Sequence, residues 1–206
     1  LGEIAVAIPE VTGISAPDDK FKAKATITIS GSNLDLADGV KLKWGETVKD
    51  VEFAKVDAYA LTFIMPDEAL DGSVYVIARS GAEILAGHYT LTVPIVAAEN
   101  YYNPSVVEAG DDLVITGTDL DLVTGVKFGG DVTVDNLTVN SEGTQLTVIV
   151  PDDGKTGALT LTLVNGTTVT CEGLSQWGSE NLAKQGYNST QILQSYYGEV
   201  EIVPNA

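Results

Sequence analysis

Cysteine is all but missing. Cys171 stands alone in a chain of 206 residues, so no disulfide can form within the chain and no cysteine zinc cluster can be built. Histidine is as scarce. With His88 the one histidine, a multi-histidine metal site is excluded, and a Ser-His-Asp triad has a single place to form. Basic residues number 11 against 29 acidic ones, for a net charge of −18. The imbalance is uneven: residues 1–95 hold 14 acids and 8 bases, residues 96–206 hold 15 and 3. A field of that sign repels phosphate backbones, which argues against DNA or RNA as partner. It also leaves room for weak binding of divalent cations. No apolar run approaches the roughly 20 residues that a membrane-crossing helix needs. No charged-then-apolar leader opens the chain, so any secretion signal or lipid anchor is expected to lie ahead of Leu1.

What is there is 44% apolar, laid out in short alternating runs. Residues 1–20 read as an extended lead-in, kept out of helix by Pro9 and Pro17. Strands are then expected at Ala25–Ile29, at Val40–Trp44 with Val40, Leu42 and Trp44 on one face, at Val51–Phe53, at Ala60–Met65, at Val74–Ile77 and at His88–Val93. A second series follows at Leu113–Thr116, Gly125–Phe128, Val132–Val134, Leu137–Val139, Gln145–Val150, Ala158–Leu163 and Thr167–Cys171. A period of two, broken by turn residues every 8–12 positions or so, predicts an all-β antiparallel sandwich. Parity places Trp44 in a core rather than on a sugar-binding surface. Cys171 ends an alternating run and is expected to be a small core residue. His88 begins a predicted strand and reads as a surface or edge histidine.

The chain also repeats itself. Ile29-Ser30-Gly31-Ser32-Asn33-Leu34-Asp35-Leu36 returns as Ile115-Thr116-Gly117-Thr118-Asp119-Leu120-Asp121-Leu122, and each is followed by Gly-Val-Lys. Gly31 and Gly117 are 86 positions apart, Pro66 and Pro151 85 apart. A near-constant offset over that span means two versions of one module. The repeated glycine is expected to serve a bend or a glycine-only backbone angle. Leu-Asp-Leu would lay two apolar groups over the sandwich end. The proline after the long strand ends its ladder. The resulting division is a first sandwich over residues 1–94, a second over 95–172, and a tail over 173–206. In the tail, Ser179 and Ser189 can each cap a short helix, ended by Gly186 and Gly198. Helices so short need something to dock on.

Chemistry-bearing candidates are few. Asp111, Asp112, Asp119 and Asp121 offer oxygen ligands to calcium, but without an EF-hand spacing, and a solvated acidic loop is the simpler reading. Paired carboxylates for glycoside hydrolysis need a fixed separation, and a chain this acidic offers too many pairs for any to stand out. Trp177 falls outside every alternating run. It can stack on a sugar ring or pin the tail by packing, and Tyr187, Tyr196 and Tyr197 carry the same two readings. Tyr101 and Tyr102 mark the join, where the second unit opens. No cofactor is called for. Asn136, Asn165 and Asn188 begin glycosylation sequons that matter only in a eukaryotic secretory setting.

The doubled unit resembles the IPT/TIG immunoglobulin-like module. The residues that carry the likeness are Ile115-Thr116-Gly117, Val126-Lys127-Phe128-Gly129-Gly130, Leu146 through Pro151, and Gly157-Ala158-Leu159. The first version departs from it, with Trp44-Gly45 two residues later than Phe128-Gly129 predicts, unless Leu42 takes that place. The likeness extends over about residues 10–172 and is similar in style to tandem modules of Bacteroidetes surface lipoproteins. It implies a noncatalytic, cell-surface spacer or adhesion role at the outer membrane, lipid-anchored through a segment ahead of Leu1, in a glycan-binding or uptake system. The tail resembles the C-terminal segment of the stage II sporulation protein D family, through Gly173–Gly178, Ala183–Tyr187 and Ile192–Gly198. That likeness implies a peptidoglycan-contacting or docking element without lytic activity. The alternative is an envelope or virion component whose tail docks on a partner protein.

Overall fold

The structure is a computed structural model and describes residues 7–96, 102–103 and 107–171; of residues 102, 103 and 156 only the backbone is described. The chain divides into two compact units, Leu1–Val93 and Pro94–Ala206. The described part is all-β, as the period of two requires. The helices expected after Ser179 and Ser189 lie outside the described residues.

In the first unit the strands are β1 (Glu10–Ser15), β2 (Thr26–Ser32), β3 (Ala37–Trp44), β4 (Thr47–Val51), β5 (Phe53–Lys55), β6 (Ala60–Ile64), β7 (Gly72–Ala78) and β8 (Glu83–Tyr89). They form two antiparallel sheets in the orders β1-β2-β6-β5 and β4-β3-β7-β8. This is the strand order of an immunoglobulin-like sandwich. Alternate residues of each sheet turn inward, and Ile27, Ile29, Val40, Leu42, Leu61, Phe63, Val74 and Val76 close the core. Trp44 is buried with them, as its parity predicts.

The second unit repeats the plan. Its strands are β9 (Ile95–Val96), β10 (Tyr102–Asn103), β11 (Asp112–Thr118), β12 (Val123–Gly129), β13 (Val132–Val134), β14 (Leu137–Val139), β15 (Gln145–Ile149), β16 (Lys155–Leu163) and β17 (Thr168–Cys171). One sheet runs β10-β11-β15-β14, with β9 also on β11; the other runs β13-β12-β16-β17. Leu113, Ile115, Val126, Phe128, Leu146, Val148 and Leu161 form its core, joined by the buried Cys171.

The repeat offset now has a mechanical reading. The β12–β13 hairpin is three residues shorter than its counterpart: Val126 faces Val134, whereas Val40 faces Val51. One residue is regained between Val134 and Leu137, against Val51 to Phe53, and one in the turn from Val139 to Leu146, against Lys55 to Leu61. The offset therefore slips by just one between Gly31 and Pro66. Leu42 takes the place of Phe128, and Trp44 is an added core residue on the longer hairpin.

Three expectations need correction. The last strand of the first unit covers Glu83–Tyr89, not residues 88–93. Beyond Tyr89 the chain leaves the ladder for isolated bonds: Leu91 N–H donates to Asp71 Oδ1 (2.8 Å) and Thr92 N–H to the Phe21 carbonyl (2.7 Å). Val51 and Phe53 belong to different sheets, because the chain crosses between the layers at Glu52. Finally, Gly31 and Gly117 do not adopt positive φ. A Cβ on Gly31 would stand 1.9 Å from the Glu10 carbonyl oxygen, and one on Gly117 2.3 Å from that of Ile95. Glycine is needed there because β1 and β9 pass too close for any side chain.

Candidate functional site

The Leu-Asp-Leu segments form 3-10 turns at Leu34–Leu36 and Leu120–Leu122. Each follows a residue in the left-handed region, Asn33 (φ 54°) and Asp119 (φ 55°). Asn and Asp are the non-glycine residues that tolerate this best. Leu34 and Leu120 are fully buried and plug their sandwich ends. Two backbone bonds then tie each segment to the facing turn. Leu34 N–H donates to the Ala58 carbonyl and Gly31 N–H to that of Tyr59, both at 2.9 Å; Leu120 N–H and Gly117 N–H donate to Gly143 and Thr144 at 2.9 and 3.0 Å. The stretch in which Gly and Asp cluster is thus scaffold in both units.

The repeated turns differ in side chains. Residues 57–59 carry an Asx turn, in which Asp57 Oδ1 accepts the Tyr59 N–H at 2.7 Å. In the second unit Asn140 Oδ1 accepts the N–H groups of Thr144 and Gln145 (2.8 and 3.0 Å). Tyr59 is 67% exposed, more than any other large apolar side chain exposed among the described residues. Val56 and Ile8 are exposed on the same unit. Asn33 Nδ2 donates to the Ile8 carbonyl (3.3 Å), and Ser32 Oγ to Glu10 Oε2 (3.2 Å).

The outer face of β3, β7 and β8 bears the other polar cluster. Lys43 binds Glu83, Lys41 Nζ lies 3.6 Å from the same carboxylate, and Lys43 Nζ sits 4.4 Å from the centre of the Tyr75 ring. The Lys43 bond holds the Glu83 carboxyl below the usual carboxylate range, and the Lys43 ammonium is raised in return. These are exposed, screened pairs of small stabilising effect. His88 is exposed on the outermost strand β8, as expected for an edge histidine, with Nδ1 2.7 Å from Ser73 Oγ. No carboxylate among the described residues bonds its ring to complete a triad.

Of the carboxylates weighed for calcium, Asp111 accepts the Glu108 N–H at 2.8 Å and Asp119 is buried. Among the described residues no group of His, Cys, Asp and Glu side chains is gathered to hold a metal ion. The aromatic candidates Trp177, Tyr187, Tyr196, Tyr197 and Tyr101 lie outside the described residues. Tyr102 is placed by its backbone, opposite Ile115 in the β10–β11 pair. Sequence reading passed over Tyr59. Its signal was present: an aromatic in a turn, where the repeat has threonine.

The described residues thus make up two antiparallel immunoglobulin-like sandwiches built on one repeated plan. No family model matches the chain, and no curated protein matches it. Solved structures of similar course include a protein bound to a xylogluco-oligosaccharide, at 18% identity and TM-score 0.45, matched over 82% of this chain and 40% of that one. A second is the surface glycan-binding protein PbSGBP-B from Prevotella bryantii, at 19% identity and TM-score 0.37, over 82% and 42%. A third is SGBP-B of the Bacteroides ovatus mixed-linkage glucan utilization locus, in complex with a mixed-linkage heptasaccharide, at 22% identity and TM-score 0.31, over 73% and 38%. The chain spans about two fifths of the length of these proteins. Among the described residues no helix is long and apolar enough to cross a membrane.

Proposed function

We propose that the chain is a noncatalytic, cell-surface part of a bacterial glycan-binding or uptake system, in which tandem modules of IPT/TIG type serve as a rigid spacer. The observation that carries the reading is the duplication of structural devices without duplication of chemistry. Both units keep the close-approach glycine, the left-handed Asn or Asp, the plugging leucine and the pinned turn. None of these meets the geometric demands of a nucleophile, an acid–base pair or a metal centre. Repetition of scaffold alone is what a spacer needs, since each unit then adds length without adding chemistry. The residues proposed for ligand contact are Trp177, Tyr187, Tyr196, Tyr197, Tyr101 and Tyr102, in the tail and at the join.

The test is calorimetric titration of the chain with soluble glycans, beginning with xyloglucan and mixed-linkage glucan oligosaccharides. Heat of binding to at least one neutral glycan, lost in a Trp177→Ala or Tyr196→Ala variant, is the expected result. Silence across the panel would remove the glycan-binding part of the reading. Surface labelling of intact cells tests the location, and protection of the chain from an added protease would count against it.

A further inference from the structure

We infer that the turn carrying Tyr59 is a saccharide-stacking subsite of the first module, taking a neutral sugar ring on the tyrosine face. The inference rests on the glycan-binding reading above and deepens it by placing a contact within the described scaffold. A tyrosine that is 67% exposed gains little from burial, so its stabilising value to the fold is small. The scaffold does not require it either. Thr144 holds the equivalent place in the second unit, with the same carbonyl accepting from the strand glycine and the same neighbouring carbonyl accepting from the plugging leucine. What differs is the side chain, and it differs toward a large flat ring.

The mounting suits a binding platform. The turn is held by its two backbone bonds to Gly31 and Leu34 and by the Asp57 carboxylate on the Tyr59 N–H. A residue whose backbone is already fixed loses less freedom when a ligand arrives. Exposed apolar residues belong to the connected segments: Val56 precedes the turn, and the Ile8 carbonyl accepts from Asn33, next to Leu34. Ser32, Asn33 and Asp57 supply hydroxyl, amide and carboxylate groups at the same end. Apolar faces rimmed by hydrogen-bonding groups match a pyranose ring, which has apolar faces and equatorial hydroxyls. Asp57, Glu10 and Asp35 outnumber the ammonium of Lys55, whose Nζ donates to the Asp35 carbonyl at 2.7 Å, and the net negative charge favours a neutral sugar over a uronate or sulfate. The patch is far smaller than the 20–30 residues a side of a stable protein interface.

The experiment compares the full chain with Tyr59→Ala, Tyr59→Phe and Thr144→Ala by affinity electrophoresis in gels containing xyloglucan, mixed-linkage glucan or polygalacturonate. Tyr59→Ala is expected to weaken retention by a neutral glucan about 3–10-fold, the range of one lost aromatic contact. Tyr59→Phe should stay within about twofold of the parent, because the ring is kept. Thr144→Ala should match the parent, and polygalacturonate should retain none of them. If the parent binds a neutral glucan and Tyr59→Ala binds it equally, the subsite is refuted while the glycan-binding reading stands. If the parent binds none of the glycans, both fall. Equal melting temperatures of parent and Tyr59→Ala, expected at so exposed a site, exclude misfolding as the cause of a loss.

Discussion

Single residues carry more of the constraint than their number implies. Gly31 and Gly117 sit where a methyl group would meet a backbone carbonyl oxygen at 1.9 and 2.3 Å. A carbonyl in a strand ladder cannot swing aside as a flexible side chain can. Gly31→Ala and Gly117→Ala are therefore expected to lower stability by about 1–3 kcal/mol each, the range for forced overpacking, as read from urea midpoints. Tyr89 predicts the reverse. Its ring is buried and stacks on Phe21, with centroids 6.1 Å apart, yet its hydroxyl has no hydrogen-bond partner among the described residues. A buried hydroxyl without a partner costs about 1–3 kcal/mol. Tyr89→Phe should thus melt at the same temperature as the parent or higher; a clear drop would mean that the hydroxyl is satisfied in solution. The repeat pointed to the two glycines by position, but the reason for them lies in the approach of β1 and β9. Tyr59 was legible as a turn aromatic, but its exposure was not.

At the scale of elements, the 3-10 turn is the unit that recurs most faithfully. It needs one residue in the left-handed region, one leucine to plug the core, and a partner turn to accept its N–H groups. Asn33→Gly should be tolerated to within about 0.5 kcal/mol, since glycine reaches that region freely. Asn33→Val should cost about 1–2 kcal/mol or more, because a branched Cβ at φ 54° is strained. Denaturant unfolding of the two variants decides, and equal midpoints would contradict the account. Strands with strict alternation, such as β13 and β14, were legible to the residue. The strand at Glu83–Tyr89 was not, because a bulge at Ala86, opposite the Val74–Tyr75 step of the neighbouring β7, breaks its alternation. Short apolar runs also do not state which sheet they join, and Val51 and Phe53 joined different ones.

For the whole molecule, each unit has its own core and its own alkaline weak point. Burial pushes the Cys171 thiol up to about 11 from 9.0, and the Tyr89 hydroxyl up to about 12 from 10.0, with the Asp71 charge adding to the latter. Both folded values exceed the unfolded ones, so the neutral forms favour the fold. Stability is full below the unfolded values and declines as pH rises through them, since the unfolded chain then releases protons that the folded one retains. Thermal melts should drop first in the second unit between pH 9 and 11 and then in the first between pH 10 and 12. Tyr89→Phe should abolish the second effect; persistence of both losses in that variant would overturn the assignment. The sequence by itself determined the class, the doubling, the parity of Trp44 and Cys171, the net charge that argues against nucleic acid, and the exclusion of cysteine or multi-histidine metal sites. Those depend on period, count and charge, which are local or summed properties. Tertiary structure alone decided which sheet each run enters, why the repeated glycines are glycine, and which aromatic of the first sandwich faces solvent. Those depend on close approach between segments distant in the chain, and no local pattern encodes that distance.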